Sequence, residues 1–254
     1  MTTLITGASA GIGLEFAHVF ASHSHDLILV ARREDKLVAL KKSIEEKYSV
    51  SVDIIIQDLT EKNAAKNIYE KIKHTPLDVL VNNAGFGAHG SFIKTDAQKE
   101  IDMIQVNITA LTELTKYILP GMIQRGSGKI LQVASTAAFE PGPLMAVYFA
   151  TKAYVLSFSE AIAEEVRGTG VSVICLCPGA TTSEFSSVAS MEKVSYFADK
   201  NLPTSHDVAQ YGYDALMKGT VVAIHGMRNK FLTFLLRFTP RSVVRKIVKK
   251  LNNA

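Results

Sequence analysis

The sequence predicts a doubly wound α/β fold, a seven-stranded parallel sheet in a single domain with helices on both faces. Short apolar, β-branched runs alternate with longer segments of helical period from Leu4 to about Ile224, the pattern of a parallel sheet covered on both sides. A glycine-rich loop, Thr6-Gly7-Ala8-Ser9-Ala10-Gly11-Ile12-Gly13, joins the first such strand to the first helix. No Pro/Gly/Ser-rich linker, internal repeat or low-complexity stretch divides the 254 residues, a length within the range of one α/β unit.

Thr3-Leu4-Ile5 reads as the first buried strand, near 3–6, and the helix after the glycine loop runs near 12–23. Leu27-Ile28-Leu29-Val30 carries the second strand, near 26–31, and Glu34 and Asp35 open a helix near 34–47, where the macrodipole favours acidic side chains in the first turn. Further strands near 51–57, 78–82, 129–134, 171–177 and 220–225 alternate with helices near 61–73, 97–124, 147–168 and 205–217. Right-handed crossovers make such a chain bind ligands at the carboxyl ends of its strands, around the point where strand order reverses. Gly179 to Pro203 lacks period-2 patterning, although Val188 to Phe197 has room for a short helix. This segment, about 180–203, reads as a substrate lid or as a mobile surface loop.

Hydrophobic content of 47% with 20% charged residues is that of a globular protein and excludes disorder. No apolar run approaches the length of a bilayer span, and the first residues read as a strand and not as a leader, so a cytoplasmic protein is expected. Cys175 and Cys177 alternate with Ile174 and Leu176 in a buried strand and read as core thiols. The seven histidines are scattered; His23 and His25 are expected to be solvated turn residues, and no metal site is expected. The net charge of +4 conceals an asymmetry, because Arg228 to Ala254 holds eight Lys/Arg and no Asp/Glu, leaving −4 for the rest. The basic character belongs to the tail, and a nucleic-acid partner is not implied.

A helix N-terminus carries unpaired N–H groups and partial positive charge, and Gly7, Gly11 and Gly13 let backbone approach a pyrophosphate there. The Gly-x-x-x-Gly-x-Gly spacing departs from the Gly-x-Gly-x-x-Gly fingerprint, and a tight structural turn is the alternative. The second strand ends in Ala31-Arg32-Arg33, where a NAD-binding domain would put a carboxylate for the ribose 2′-hydroxyl. Guanidinium groups at that place match a 2′-phosphate, which favours NADPH over NADH.

With these features the chain resembles the short-chain dehydrogenase/reductase family, a Rossmann-type fold, from about residue 3 to 225. The glycine loop is matched by Thr6, Gly7, Gly11, Ile12 and Gly13, the adenine-side acid by Asp58 before Leu59, and the wall behind the cofactor by Asn82-Asn83-Ala84-Gly85. Asn107 matches the family's helix asparagine, Ser135 its strand-end serine, Tyr148 and Lys152 its Tyr-x-x-x-Lys pair, and Pro178-Gly179 the turn that positions the nicotinamide amide. After that turn the family usually has Val or Ile and then Thr, whereas this chain has Thr181 and Ser183. The resemblance implies the NADP-preferring branch, with Ser9 adding a hydroxyl near the 2′-phosphate. It also implies that Lys152 binds the nicotinamide ribose and that Asn107 holds a water linking the lysine to solvent.

Tyr148 and Lys152, at i and i+4, share one helix face, so the ammonium is expected to pull the phenol's pKa down toward working pH. Tyr148 then protonates a carbonyl oxygen as hydride arrives, with Ser135 donating a hydrogen bond to the same oxygen. The expected substrate is a ketone or aldehyde, or the corresponding alcohol in reverse, of lipophilic character if Met191, Tyr196, Phe197, Phe86 and Phe139 line the pocket. The alternatives are a catalytically silent NADP(H) sensor and a membrane-associated interaction protein.

The domain is expected to cover 1–227, with 228–254 a basic amphipathic extension. Phe231, Phe234, Leu235 and Phe238 recur at helical spacing, and after Pro240 a second stripe is formed by Val243, Val244, Ile247, Val248 and Leu251 opposite Arg241, Arg245, Lys246, Lys249 and Lys250. Such a tail can pack on its own domain, on a partner subunit, or on an anionic membrane. By the resemblance, a homodimer or homotetramer forms through the helices around 97–124 and 147–168.

Overall fold

A computed structural model describes residues 1–185, 189 and 202–253. Its seven parallel strands are β1 (Thr2–Thr6), β2 (Asp26–Ala31), β3 (Val52–Ile56), β4 (Val79–Asn82), β5 (Gly128–Val133), β6 (Val171–Cys177) and β7 (Val222–Ile224). They lie in the order β3-β2-β1-β4-β5-β6-β7, so the chain reverses its direction of travel between β1 and β4. Each expected strand is present within about two residues of its sequence-derived bounds, as β-branched runs between turn residues dictate.

Period 2 along the central strands divides the interior into two cores. Ile5, Leu27, Leu29, Val79, Val81 and Leu131 face α1 (Gly11–Ser22) and α2 (Glu34–Lys47). Their sequence neighbours Leu4, Ile28, Val30, Leu80 and Ile130 face the opposite layer, with α3 (Ala64–Ile72). Burial of both sets is why the centres of these strands read as apolar runs, with Thr3, Asn82 and Gln132 as buried polar members. Burying each apolar side chain contributes about 1.5–3 kcal/mol.

The expected helix 97–124 is three pieces. α4 (Ala97–Ile104), whose first turn is capped by Asp96 Oδ1 accepting from Lys99 N at 2.7 Å, runs into a π-helical turn at Gln105–Ala110 and then into α5 (Leu111–Arg125). A π turn inserts a residue into the ladder without changing the apolar spacing enough to be read from sequence, and it commonly marks a functional position. α6 (Ala146–Glu165) and α7 (Ser205–Lys218) follow, the latter begun by a capping box of Thr204 and Asp207 and ended by Gly219 at φ 69°. Two tail helices, α8 (Met227–Leu235) and α9 (Arg241–Asn253), close the chain.

Two expectations are corrected here. His25 is buried, not a solvated turn residue: its Nδ1 shares a 2.7 Å hydrogen bond with Thr3 Oγ1, and its ring lies edge-on to Phe20 at 5.1 Å. Burial lowers its pKa below the usual histidine value. The second tail stripe is also split, Val244 and Val248 being buried while Val243, Ile247 and Leu251 stay exposed. Cys175 and Cys177 are buried free thiols, as expected, with Sγ atoms 3.8 Å apart. The short helix expected at Val188 to Phe197, and Met191, Tyr196 and Phe197 with it, lie outside the described residues except for Ala189.

α1 and α7 pack closely because Gly212 has no side chain: a Cβ there would stand 2.8 Å from Phe16 Cζ and 2.8 Å from Leu176 Cδ2. Gly212→Val is expected to overpack this contact and cost about 1–3 kcal/mol, read as a lowered urea midpoint. An unchanged midpoint would show that α1 and α7 approach less closely than described.

Candidate active site

The proposed site residues gather at the carboxyl edge of the sheet around the β1/β4 reversal. The loop after β1 makes the first wall. Gly7 lies at φ 69° and Gly11 at φ 56°, conformations that disfavour side chains, and a Cβ on Gly7 would meet Ala84 Cα at 2.8 Å. A Cβ on Gly13 would overlap Gly7 O and Asn83 Nδ2. Ile12 packs on the core beneath. No side chain caps the N-terminus of α1 and its first turn has no acidic residue, in contrast to the capping box of α7. The glycines therefore bring backbone against a helix end whose N–H groups suit an anion.

The loop after β4 is fastened to that wall. Thr6 Oγ1 accepts from Asn83 N and from Ala84 N, both at 3.1 Å, and Asn83 Nδ2 donates to Thr6 O at 2.9 Å. Gly85 then passes directly over the polar centre, since a Cβ on it would lie 3.0 Å from Asn107 Oδ1 and 3.3 Å from Lys152 Nζ.

At the end of β2, Arg33 donates to Ser9 Oγ through Nε and Nη2, both at 3.2 Å, and pairs with Glu184 Oε2 at 3.0 Å. Arg32, more exposed, reaches Asp58 Oδ2 at 3.4 Å. Asp58 is held below the usual carboxylate range: burial opposes this, but hydrogen bonds from Thr60 and the charge of Arg32 prevail. Leu59 points its side chain into the core, which leaves only its backbone to face the crevice. Ser9, Arg32 and Arg33 thus make a basic, hydroxyl-bearing corner beside the glycine loop.

The reactive side chains come from β5, α6 and the π turn. Ser135 follows β5 and caps a short 3-10 helix, its Oγ accepting from Ala137 N at 3.1 Å and donating weakly to Pro178 O at 3.4 Å. Tyr148 and Lys152 are both buried on α6, with the ammonium 5.8 Å from the phenol ring centre. Lys152 Nζ donates to Val133 O at 2.8 Å. Asn107, in the π turn, accepts from Phe86 N at 3.1 Å and donates to Phe86 O and Thr151 Oγ1, each at 3.0 Å. Its amide fixes the β4 loop to α6, a role the sequence reading did not assign to it.

The expected depression of the tyrosine pKa is overturned. Burial pushes Tyr148 up to about 12, and hydrogen bonding from Ser135, not the charge of Lys152, is what opposes it. Burial likewise brings Lys152 down to about 8, with Cys175 and Cys177 acting against the fall. In this state the low-dielectric surroundings outweigh attraction between phenol and ammonium.

Past β6, Pro178 accepts from Ser135, and Gly179 lies against Asn229 of α8, whose Nδ2 a Cβ would approach to 2.5 Å. Thr181 is buried and donates to Gly179 O at 3.0 Å, so its side chain supports the turn. Phe185 packs on Tyr148 with ring centres 5.3 Å apart. Tyr148 belongs to an apolar cluster with Ala88, Met103, Met145 and Phe149, and from the tail Val244 and Val248. Phe86 borders this apolar cluster, whereas Phe139 packs with the cysteines instead.

Three features escaped the sequence reading. Thr151, one turn on from Tyr148, ties Asn107 to α6, and its position between the paired residues was the available signal. Phe185 carried no periodic signal. Asn252 donates to Pro143 O at 2.8 Å while its carbonyl lies 2.8 Å from His89 Nε2, pinning the chain end to two site loops; contacts so distant in sequence leave no local trace.

A sequence profile described as short chain dehydrogenase matches residues 1–193. A short chain dehydrogenase of Pseudocercospora fijiensis is 35% identical over 72% of this chain and 60% of its own length. The very-long-chain 3-oxoacyl-CoA reductase of Anas platyrhynchos is 31% identical over 98% of this chain and 79% of its own. This chain therefore spans less than two thirds of the first of these relatives. Among solved structures, a short-chain dehydrogenase of Sphingobium yanoikuyae in complex with NADPH superposes with a TM-score of 0.84 at 30% identity, covering 93% of both chains.

Thr6→Val keeps shape but removes the acceptor of two partly buried N–H groups, at a cost of about 1–3 kcal/mol. A lower denaturation midpoint is expected, with Thr6→Ser close to wild type; equal midpoints for all three proteins would mean that water replaces the hydroxyl.

Proposed function

Because the chain belongs to the short-chain dehydrogenase family, a family of oxidoreductases using NAD(P)(H) on small molecules, we propose that it is an NADPH-dependent reductase of a lipophilic ketone or aldehyde, reversible in principle. The observation that carries this reading is the burial of Tyr148 and Lys152 beside Ser135, in an apolar cluster at the same sheet edge as the glycine loop.

The residues fit a dinucleotide. Gly7, Ser9, Gly11, Ile12 and Gly13 form a backbone cradle that side chains would fill, at a helix end without a cap of its own. Asp58 and Leu59 would hold the adenine side, Asn83, Ala84 and Gly85 the wall behind, and Pro178, Gly179 and Thr181 the nicotinamide side. Arg33, held against Ser9, and Arg32 are the groups for a 2′-phosphate. The dinucleotide supplies hydride when bound.

The chain manages the proton. A phenol with a pKa near 12 stays protonated throughout the neutral range, so Tyr148 is a proton donor to a carbonyl oxygen and not a base at rest. Ser135 holds its hydroxyl through a long bond to Pro178, which it can exchange for the substrate oxygen. Lys152 Nζ stands 5.8 Å from the phenol ring centre and is held in place by Val133 O. Asn107 keeps α6 and the β4 loop in register for this step.

Met103, Met145, Phe149 and Phe185 surround the phenol with apolar surface, which supports a lipophilic substrate. The name of the Anas platyrhynchos relative, a reductase of very-long-chain 3-oxoacyl-CoA, agrees with a ketone on a long acyl chain. Exposed Ile101, Ile104 and Tyr154 on α4 and α6 support assembly of copies through these helices. Free thiols at Cys175 and Cys177 are consistent with the cytoplasm.

Tyr148→Phe is expected to lower turnover about 10²–10⁴-fold while NADPH binding, followed by fluorescence, is retained; unchanged turnover of a good substrate would defeat the mechanism. Arg33→Ala is expected to raise KM for NADPH about ten- to a hundred-fold and leave KM for NADH nearly as it was. Equal effects on both coenzymes would remove Arg33 from the 2′-phosphate site.

A further inference from the structure

We propose that the outer face of α8, with the basic run continuing through α9, is a docking surface for an anionic lipid bilayer. Among the described residues, one side of α8 meets the domain: Asn229 lies against Gly179, Thr233 is buried, and Leu236 packs on the cluster that contains Tyr148. At 3.6 residues per turn, Met227, Phe231 and Phe234 project from the opposite side, and they are 78%, 62% and 53% exposed. Phe238, in the turn after α8, continues that face and meets Phe234 edge-on at 5.3 Å. Apolar rings gathered in this way on a surface mark an interaction site.

Charge identifies the occupant. Arg228, Lys230 and Arg237 flank the aromatic face, α9 adds Lys246, Lys249 and Lys250, and no Asp or Glu occurs from Arg228 to Ala254. On α9, Val244 and Val248 pack inward while Val243, Ile247 and Leu251 remain exposed next to the lysines. A second copy meeting this face about a two-fold axis would bring cations against cations with no acid to separate them. Apolar rings bordered by Lys and Arg match the layered chemistry of a bilayer surface, acyl chains below and anionic headgroups above. None of the described helices is long and apolar enough to cross a membrane, so the contact is one in which helices lie in the interface plane. This inference stands independently of the reductase reading.

The test is co-sedimentation of the full chain with vesicles of phosphatidylcholine mixed with phosphatidylserine, beside vesicles of phosphatidylcholine alone. Binding to the anionic vesicles, weakened by salt and poor on the neutral ones, is expected. Combining Phe231→Ser, Phe234→Ser and Phe238→Ser should lower that binding about tenfold or more with the denaturation midpoint unchanged. Combining Lys246→Glu, Lys249→Glu and Lys250→Glu should abolish the preference for phosphatidylserine. The proposal is overturned if the chain stays in the supernatant with anionic vesicles at low salt, or if both variants bind as the parent does. It is equally overturned if the serine substitutions act by dissociating an oligomer, seen by light scattering, for the face would then be a contact between copies.

Discussion

The fastening of the β1 loop to the β4 loop is the constraint from which the rest of the site follows. Strand order reverses between β1 and β4, so these adjacent strands send their chains to opposite layers and leave a crevice at their carboxyl ends. Thr6 and Asn83 close hydrogen bonds across its floor, and Gly7 and Gly13 let the two loops touch at backbone distance. A crevice held by side-chain bonds to backbone N–H groups does not depend on a ligand for its shape. The position of Gly85 over Asn107 and Lys152 depends in turn on this fastening, so the anion cradle and the proton donor share one support.

Burial at Tyr148 and Lys152 acts on both groups in the same sense. It drives them toward their neutral forms, the phenol to about 12 and the ammonium to about 8. Desolvation therefore holds the proton on the donor until an acceptor is present. A solvated pair at the same i, i+4 spacing would not be shifted in this way.

Strand positions were legible because burial on both faces demands apolar residues at most positions, and the glycines were legible because close backbone approach tolerates nothing larger. Helical period also placed α1, α2 and α7 to within a residue and α6 to within three. Period alone could not reveal the π turn at 105–110, since one inserted residue shifts the stripe by less than its own width. The direction of the tyrosine shift was missed for a different reason: i, i+4 spacing reports proximity, whereas pKa depends also on the depth at which the pair lies, and depth is contributed by Met103, Phe185 and the tail, all remote in sequence. His25 was misjudged in the same way, its partners Thr3, Phe20 and Tyr213 being brought to it by the sheet and by α7.

The two faces of α9 connect the surface to the interior. Val244 and Val248 belong to the apolar cluster that contains Tyr148, and Asn252 ties the end of the helix to Pro143 and His89, one before α6 and the other after β4. α8 reaches the same region by another route, since Asn229 fills the space that Gly179 leaves open. Both tail helices therefore touch loops that bound the site while presenting apolar and basic side chains outward. Cores transmit displacement because they are close packed. Whatever α8 and α9 rest upon is in contact, through only a few side chains, with the apolar wall around the phenol.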